Sequence, residues 1–356
     1  MGIERIPPEI LRHILSHLNN FPCSSSESRQ QERNRNLKNC SLVSSTWRAI
    51  AQNLLPDEIW ISPRDQLEEG KIDRLATLLE REPFKDGKTR KLVVRRTLMM
   101  IEDDLMQKAD ETIDKRWKNV TYLQLSVAMS SMLSLANFTN LRKLYLYQVD
   151  LYLRQSEGVI FPNLSHLALY NVDIHDDLSL AQKIFSSTAL PELVHLTLGC
   201  QHRTSSLKDV FVNLLPQITS LALSFPTFPK GALVNRTSLD KFFESYPRNN
   251  VLRHLLVDAV PFGLQDTLLA KGTLLDLDTL HIKYFPDRAK WGGPITRFNH
   301  CEEQYSSLLK GGGNVGCRTL VLYGCPEDVS STFTEREDLV LKNEQKLPFE
   351  EFDGSF

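Results

Sequence analysis

No run of apolar residues in this 356-residue chain reaches the roughly 18 that a membrane-crossing helix requires. The richest stretch, LQLSVAMSSMLSLANF at 123–138, is interrupted by Gln124 and several serines and reads instead as a buried helix. An excess of either charge is also missing: 42 lysines and arginines face 44 aspartates and glutamates, a net charge of −2. That balance supplies no general attraction to nucleic acid or to an anionic membrane, so neither is an expected partner. Glu4, Arg5, Glu9 and Arg12 break up the apolar residues at the start of the chain, and no secretory leader is expected there.

The six cysteines include no Cys-x-x-Cys pair, which suits reduced thiols of the cytoplasm or nucleus. His300, Cys301, Cys317 and Cys325 are spaced too irregularly for a structural zinc site, so no metal is expected. The chain has no G-x-S-x-G, H-E-x-x-H, phosphate-loop or G-x-G-x-x-G motif. LKGGGNVGCRTL lacks the Lys-Ser/Thr that completes a phosphate loop and reads as a turn, and the basic run KDGKTRKLVVRR reads as a solvated flank of a strand. Catalytic residues and cofactors are therefore expected to be none, and the chain is not expected to be an enzyme.

What is present begins at the N-terminus. After Pro7 and Pro8, the residues Ile10, Leu11, Ile14, Leu15 and Leu18 form an apolar stripe at helical period, with proline suited to the first turn. This helix is expected to stop near Asn19 and Asn20, and NNFPCSSSESRQQERNRN, residues 19–36, reads as a mobile loop. A second set, Cys40, Val43, Trp47, Ile50 or Ala51, and Leu54, again recurs every three to four residues, with Ser44 and Ser45 marking a break between two short helices. So small a module buries its stripes only in part. The remaining apolar face is covered either by a partner or by the rest of this chain.

IPPEILRHILSHL followed by LKNCSLVSSTWRAIAQNLL resembles an F-box over roughly residues 3–56, with Ile6 where leucine is commoner and a longer loop at 19–36. The resemblance implies binding to the Skp adaptor of a Skp-cullin-F-box ubiquitin ligase and, through it, to a cullin. The positions it marks are Ile6, Pro7, Ile10, Leu11, Ile14, Leu15, Leu37, Cys40, Leu42, Val43 and Trp47, divided in an unstated way between adaptor contact and the module's own core.

Beyond residue 90 an irregular repeat fills the chain, clearest in FTNLRKLYLYQV, FPNLSHLALYNV and LPELVHLTLGC. The first leucine of each Leu-x-Leu, or its equivalent, falls at Leu92, Leu123, Leu144, Leu167, Leu196, Leu221, Leu255, Leu280 and Leu320. Several of these steps lie within the roughly 20–29 residues of leucine-rich repeats, and the others require insertions. Strand-like segments alternate with helical ones such as DLSLAQKIFSST, SSLKDVFVNLL, TSLDKFFESY, LQDTLLAKG and EEQYSSLLKG, which predicts parallel strands. The fold class expected is α/β: a small helical F-box followed by an irregular leucine-rich-repeat-like solenoid with a parallel sheet, each unit covering its neighbour's apolar face. A doubly wound sheet is the alternative.

The expected organisation is an F-box at 1–56, a helical linker or cap at 57–89 with a helix over 70–83, the solenoid at 90–326, and an acidic tail or cap at 327–356. In such a stack the x of Leu-x-Leu and the residue after the second leucine, among them Gln124, Ser126, Tyr145, Tyr147, Ala168, Tyr170, Thr197, Gly199 and Ala222, point outward onto a concave face. Tyr145, Tyr147 and Tyr170 in adjacent repeats are candidate anchors for an unidentified target protein. The expected function is a substrate-recognition subunit: the F-box binds the Skp adaptor and the repeats hold the target. A non-degradative Skp-binding scaffold and an α/β-sheet enzyme with an unrecognised site are the alternatives.

Overall fold

The computed structural model describes residues 6–16, 26–54, 58–61, 89–95, 119–131, 135, 138–153, 158–170, 172–175, 178–199, 210–211, 213–224, 251–258, 277–283, 317–323 and 340–344. Two compact units divide the chain, the first comprising 1–128, 134–142 and 351–356 and the second 129–133 and 143–350.

The first unit opens with three helices, α1 (Pro8–Ser16), α2 (Ser26–Cys40) and α3 (Ser45–Leu54). The loop expected over 19–36 is thus helical from Ser26 onward. Its serines and asparagines suggested a linker, but Gln30, Gln31, Glu32, Arg33 and Arg35 are straight-chain residues that lose little freedom in a helix. Tertiary contacts then hold it, because Leu37 is fully buried and the Arg33 guanidinium donates to the Leu54 carbonyl at 2.9 Å. That bond satisfies a carbonyl left open at the end of α3. At the other end of α3, Ser44 Oγ accepts from the Trp47 amide at 3.3 Å, an N-cap that confirms the break expected at Ser44 and Ser45. Leu11, Leu15, Leu37, Ala51 and Leu54 form the core of this helical module, with Ile6, Cys40, Trp47 and Ile50 packed against it.

The same unit contains β1 (Glu58–Ile61), β2 (Lys91–Arg95) and most of β3 (Tyr122–Ser131), whose last three residues belong to the second unit. All pair in parallel, and Ile59, Leu92 and Leu123 stand directly beside one another. The segment 123–138, expected as a buried helix, is a strand over its first part. Leu123 and Leu125 alternate with Gln124 and Ser126 at a period of two, and that alternation prevails over the overall apolar content.

The second unit holds β4 (Lys143–Tyr152), β5 (His166–Tyr170), β6 (Asp173–His175), β7 (His195–Gly199), β8 (Ser220–Ser224), β9 (His254–Asp258), β10 (Leu277–Lys283), β11 (Cys317–Tyr323) and β12 (Val340–Glu344). Every pairing among them is parallel, and the leucines of the repeat form one ladder: Leu144, Leu167, Leu196, Leu221, Leu255, Leu280, Leu320 and finally Leu341. The architecture is a parallel-sheet solenoid of irregular step. Between strands the described residues include α4 (Leu178–Ile184), inside the helix expected at DLSLAQKIFSST, and Phe185 just beyond it meets Phe211 at 4.9 Å between ring centroids. The helices expected at 70–83, TSLDKFFESY, LQDTLLAKG and EEQYSSLLKG lie outside the described residues. β12 falls within the stretch expected as an acidic tail or cap.

A tight turn feeds strand after strand. Leu164 donates to Phe161, Leu193 to Leu190 and Ile218 to Leu215 across three residues, and Leu141 does the same to Phe138 in the first unit. Pro162, Pro191 and Pro216 occupy the second turn position, where their fixed φ is already correct. The Gln217 amide bridges two such turns, donating to the Leu190 and Leu193 carbonyls at 2.7 and 3.0 Å. Short repeats thereby satisfy buried backbone groups without long helices.

Candidate functional site

Helix α1 presents two different faces. Leu11 and Leu15 are 1% exposed in the module core, whereas Ile10 and Ile14 are 53% and 46% exposed. Four apolar side chains within nine residues thus split into two inward and two outward, as the helical period of 3.6 dictates for neighbours at i and i+1. A second exposed apolar pair sits in the turn between α2 and α3, where Leu42 is 76% and Val43 54% exposed. This turn is pinned. Ser41 Oγ donates to the Lys38 carbonyl at 2.6 Å, and Arg48 Nε donates to the Ser41 carbonyl at 3.1 Å.

Of the eleven positions marked by the F-box resemblance, Leu11, Leu15 and Leu37 are core, and Ile6, Cys40 and Trp47 pack on that core in partly buried positions. Pro7, Ile10, Ile14, Leu42 and Val43 are exposed. Leu18 lies outside the described residues. Burial pushes the Cys40 thiol above its ordinary pKa, in keeping with its packing against the core. Arg33, which ties α2 to α3, went unrecognised because it falls in the stretch read as a loop.

The second surface is the sheet face opposite the leucines, where several positions expected on an open concave face are covered. Gln124, Ser126, Tyr145, Ala168, Gly199 and Ala222 are buried. Strands about 4.8 Å apart in strict register place these side chains side by side, and longer neighbours close over the short ones. A Cβ on Gly199 would stand 2.6 Å from Tyr170 Cδ1, so the Tyr170 ring lies over this glycine. Tyr145 is 8% exposed and therefore mostly a packing residue. Tyr147 and Tyr170 remain half-buried, their ring centroids 6.4 Å apart and tilted by 40°, and burial raises the Tyr147 phenol pKa. Two of the three tyrosines thus form a ring pair with accessible surface, while the third supports the sheet.

A further row on this face precedes each first leucine: Lys143, His166, His195, Ser220, His254 and Thr279. His166 and His195 stack at 4.0 Å between ring centroids. Burial, with His254 and Lys143 nearby, lowers the His195 pKa below 6.5. Alternation along each strand would have revealed this row in the sequence, had the residue before Leu-x-Leu been followed as closely as the x. Among the described residues no group of three or more His, Cys, Asp or Glu is placed to hold a metal ion, and no helix is long and apolar enough to cross a membrane.

Residues 3–62 match the family model described as F-box-like, so the chain carries an F-box-like domain at its N-terminal side. No curated protein matches the chain in sequence. Among solved structures, the crystal structure of a TLR13–ssRNA13 complex is similar at 14% identity with a TM-score of 0.33, covering 72% of this chain. This chain spans only 36% of that one.

Proposed function

We propose that the protein is a substrate-recognition subunit of a Skp-cullin-F-box ubiquitin ligase, its F-box-like domain binding the Skp adaptor and its solenoid holding a target protein. The observation that carries this reading is the segregation on α1. Leu11 and Leu15 build a core that is complete without Ile10 and Ile14, leaving two large aliphatic side chains exposed, as is a second such pair at Leu42 and Val43. Burying one such side chain stabilises a complex by about 1.5–3 kcal/mol, so a partner covering all four gains several kcal/mol before the costs of association. A parallel solenoid offers the second, separate surface that a target requires. The chain itself supplies no catalytic residue in this reading; ubiquitin transfer follows from proximity, in the reducing cytoplasm or nucleus that its cysteine spacing suits.

Affinity purification with mass spectrometry tests it, comparing the wild type with a chain lacking residues 1–56. Recovery of adaptor and cullin by the wild type alone is the expected result. Equal recovery of the adaptor by both forms would show the reading wrong. Adaptor recovered without cullin, and no target whose ubiquitination changes on depletion, would turn the conclusion to a non-degradative scaffold.

A further inference from the structure

The residues one place before the leucine ladder form a ladder of their own. Lys143 stands beside His166, His166 beside His195, His195 beside Ser220, Ser220 beside His254 and His254 beside Thr279. Their orientations are held by the sheet: the His166 and His195 rings stack 22° from parallel. Ser165 Oγ meets His166 Nδ1 at 2.8 Å, and Thr279 Oγ1 meets His254 Nδ1 at 2.7 Å. The row runs on through Thr319 and Val340, so from β4 to β12 it contains no carboxylate, whereas Asp258 and Glu344 stand at the opposite ends of their strands.

We propose that this row is a docking strip for an acidic segment of a partner protein. The partner's identity as a ligase target rests on the function proposed above; the chemistry of the strip does not. Lys143 supplies an ammonium group, and an imidazole carries an N–H donor in either protonation state, so the strip matches a run of carboxylates in hydrogen bonding, with its positive charge contributed by Lys143. The side chains of Lys143, His166, His195 and His254 are half-buried, where such bonds are stronger than in bulk water. From Lys143 to His254 the row spans four strand steps of about 4.8 Å, roughly 19 Å, which is the reach of about six residues of extended chain at ~3.3 Å each. Ser220, between His195 and His254, is buried and sets the spacing of its two histidine neighbours.

The test is fluorescence anisotropy of an oligoglutamate peptide titrated into the full chain near the ordinary histidine pKa of about 6.5, at low and high salt. Saturable binding that weakens with salt, fails with an oligolysine or Gly-Ser peptide, and drops about tenfold or more in Lys143→Glu is the expected result. His254→Gln, a neutral replacement in the same row, carries the test should Lys143→Glu not fold, and it too weakens binding. Oligoglutamate binding no tighter than Gly-Ser, binding unchanged in folded variants, or binding confined to a phosphoserine peptide would overturn the proposal. Adaptor capture is measured on the same preparations. Adaptor captured without oligoglutamate binding overturns the strip alone, and oligoglutamate bound by a chain that does not capture adaptor supports the strip while overturning the ligase reading.

Discussion

Leu15 and Ile14 are adjacent in sequence, alike in size, and opposite in environment. Leu15→Ala removes buried methyl groups from the helical module and leaves a cavity, at an expected cost of about 2–5 kcal/mol, whereas Ile14→Ala shifts stability by no more than about 0.5 kcal/mol. Urea unfolding of the two variants beside the wild type checks both figures. Periodicity in the sequence identified the whole stripe, but it could not divide the stripe, because the division depends on where Leu37 and Ala51 arrive from other helices. His195 gives a second expectation at this scale. Its lowered pKa means that the folded state holds the neutral ring, so its contribution to stability is complete above 6.5 and is lost as pH falls below 6.5 through its folded value. NMR titration should find His195 titrating below 6.5, and Lys143→Gln, which removes one of the charges responsible, should raise it.

At the scale of the element, the strands were almost all readable and the surfaces between them less so. The Leu-x-Leu alternation placed β2 to β5 and β7 to β11, and within each unit the ladder that joins their first leucines follows from parallel pairing in register. β1 and β12 went unrecognised because Ile59 and Leu341 lie in stretches read as a linker and a tail. The x positions were read as exposed since alternation reports only which way a side chain points, not what closes over it. Gly199 shows the consequence. Gly199→Ala puts a methyl group 2.6 Å from the Tyr170 ring, and the ring must turn away at a cost of about 1–3 kcal/mol, read as a lowered thermal midpoint. Helix α2 was missed for the opposite reason: its solvent-facing residues resemble a linker, and Arg33 and Leu37 show their value only against α3.

The molecule as a whole divides its tasks between a helical module whose core leaves aliphatic side chains in water and a parallel sheet whose side chains present charge and aromatic rings. The division was visible in the sequence as a change of apolar period from helical to alternating, near residue 90. Whether those outward aliphatics find a partner decides the function, and the F-box-like match at 3–62 names the partner to try. Calorimetric titration of purified Skp adaptor into the full chain, wild type beside the Ile10→Asp/Ile14→Asp double variant, measures this without other components. Binding by the wild type, with a loss of at least a hundredfold in the double variant while its helical module still unfolds at the wild-type midpoint, is the predicted result. Equal affinity of the two proteins for the adaptor, or no binding by either, would contradict it.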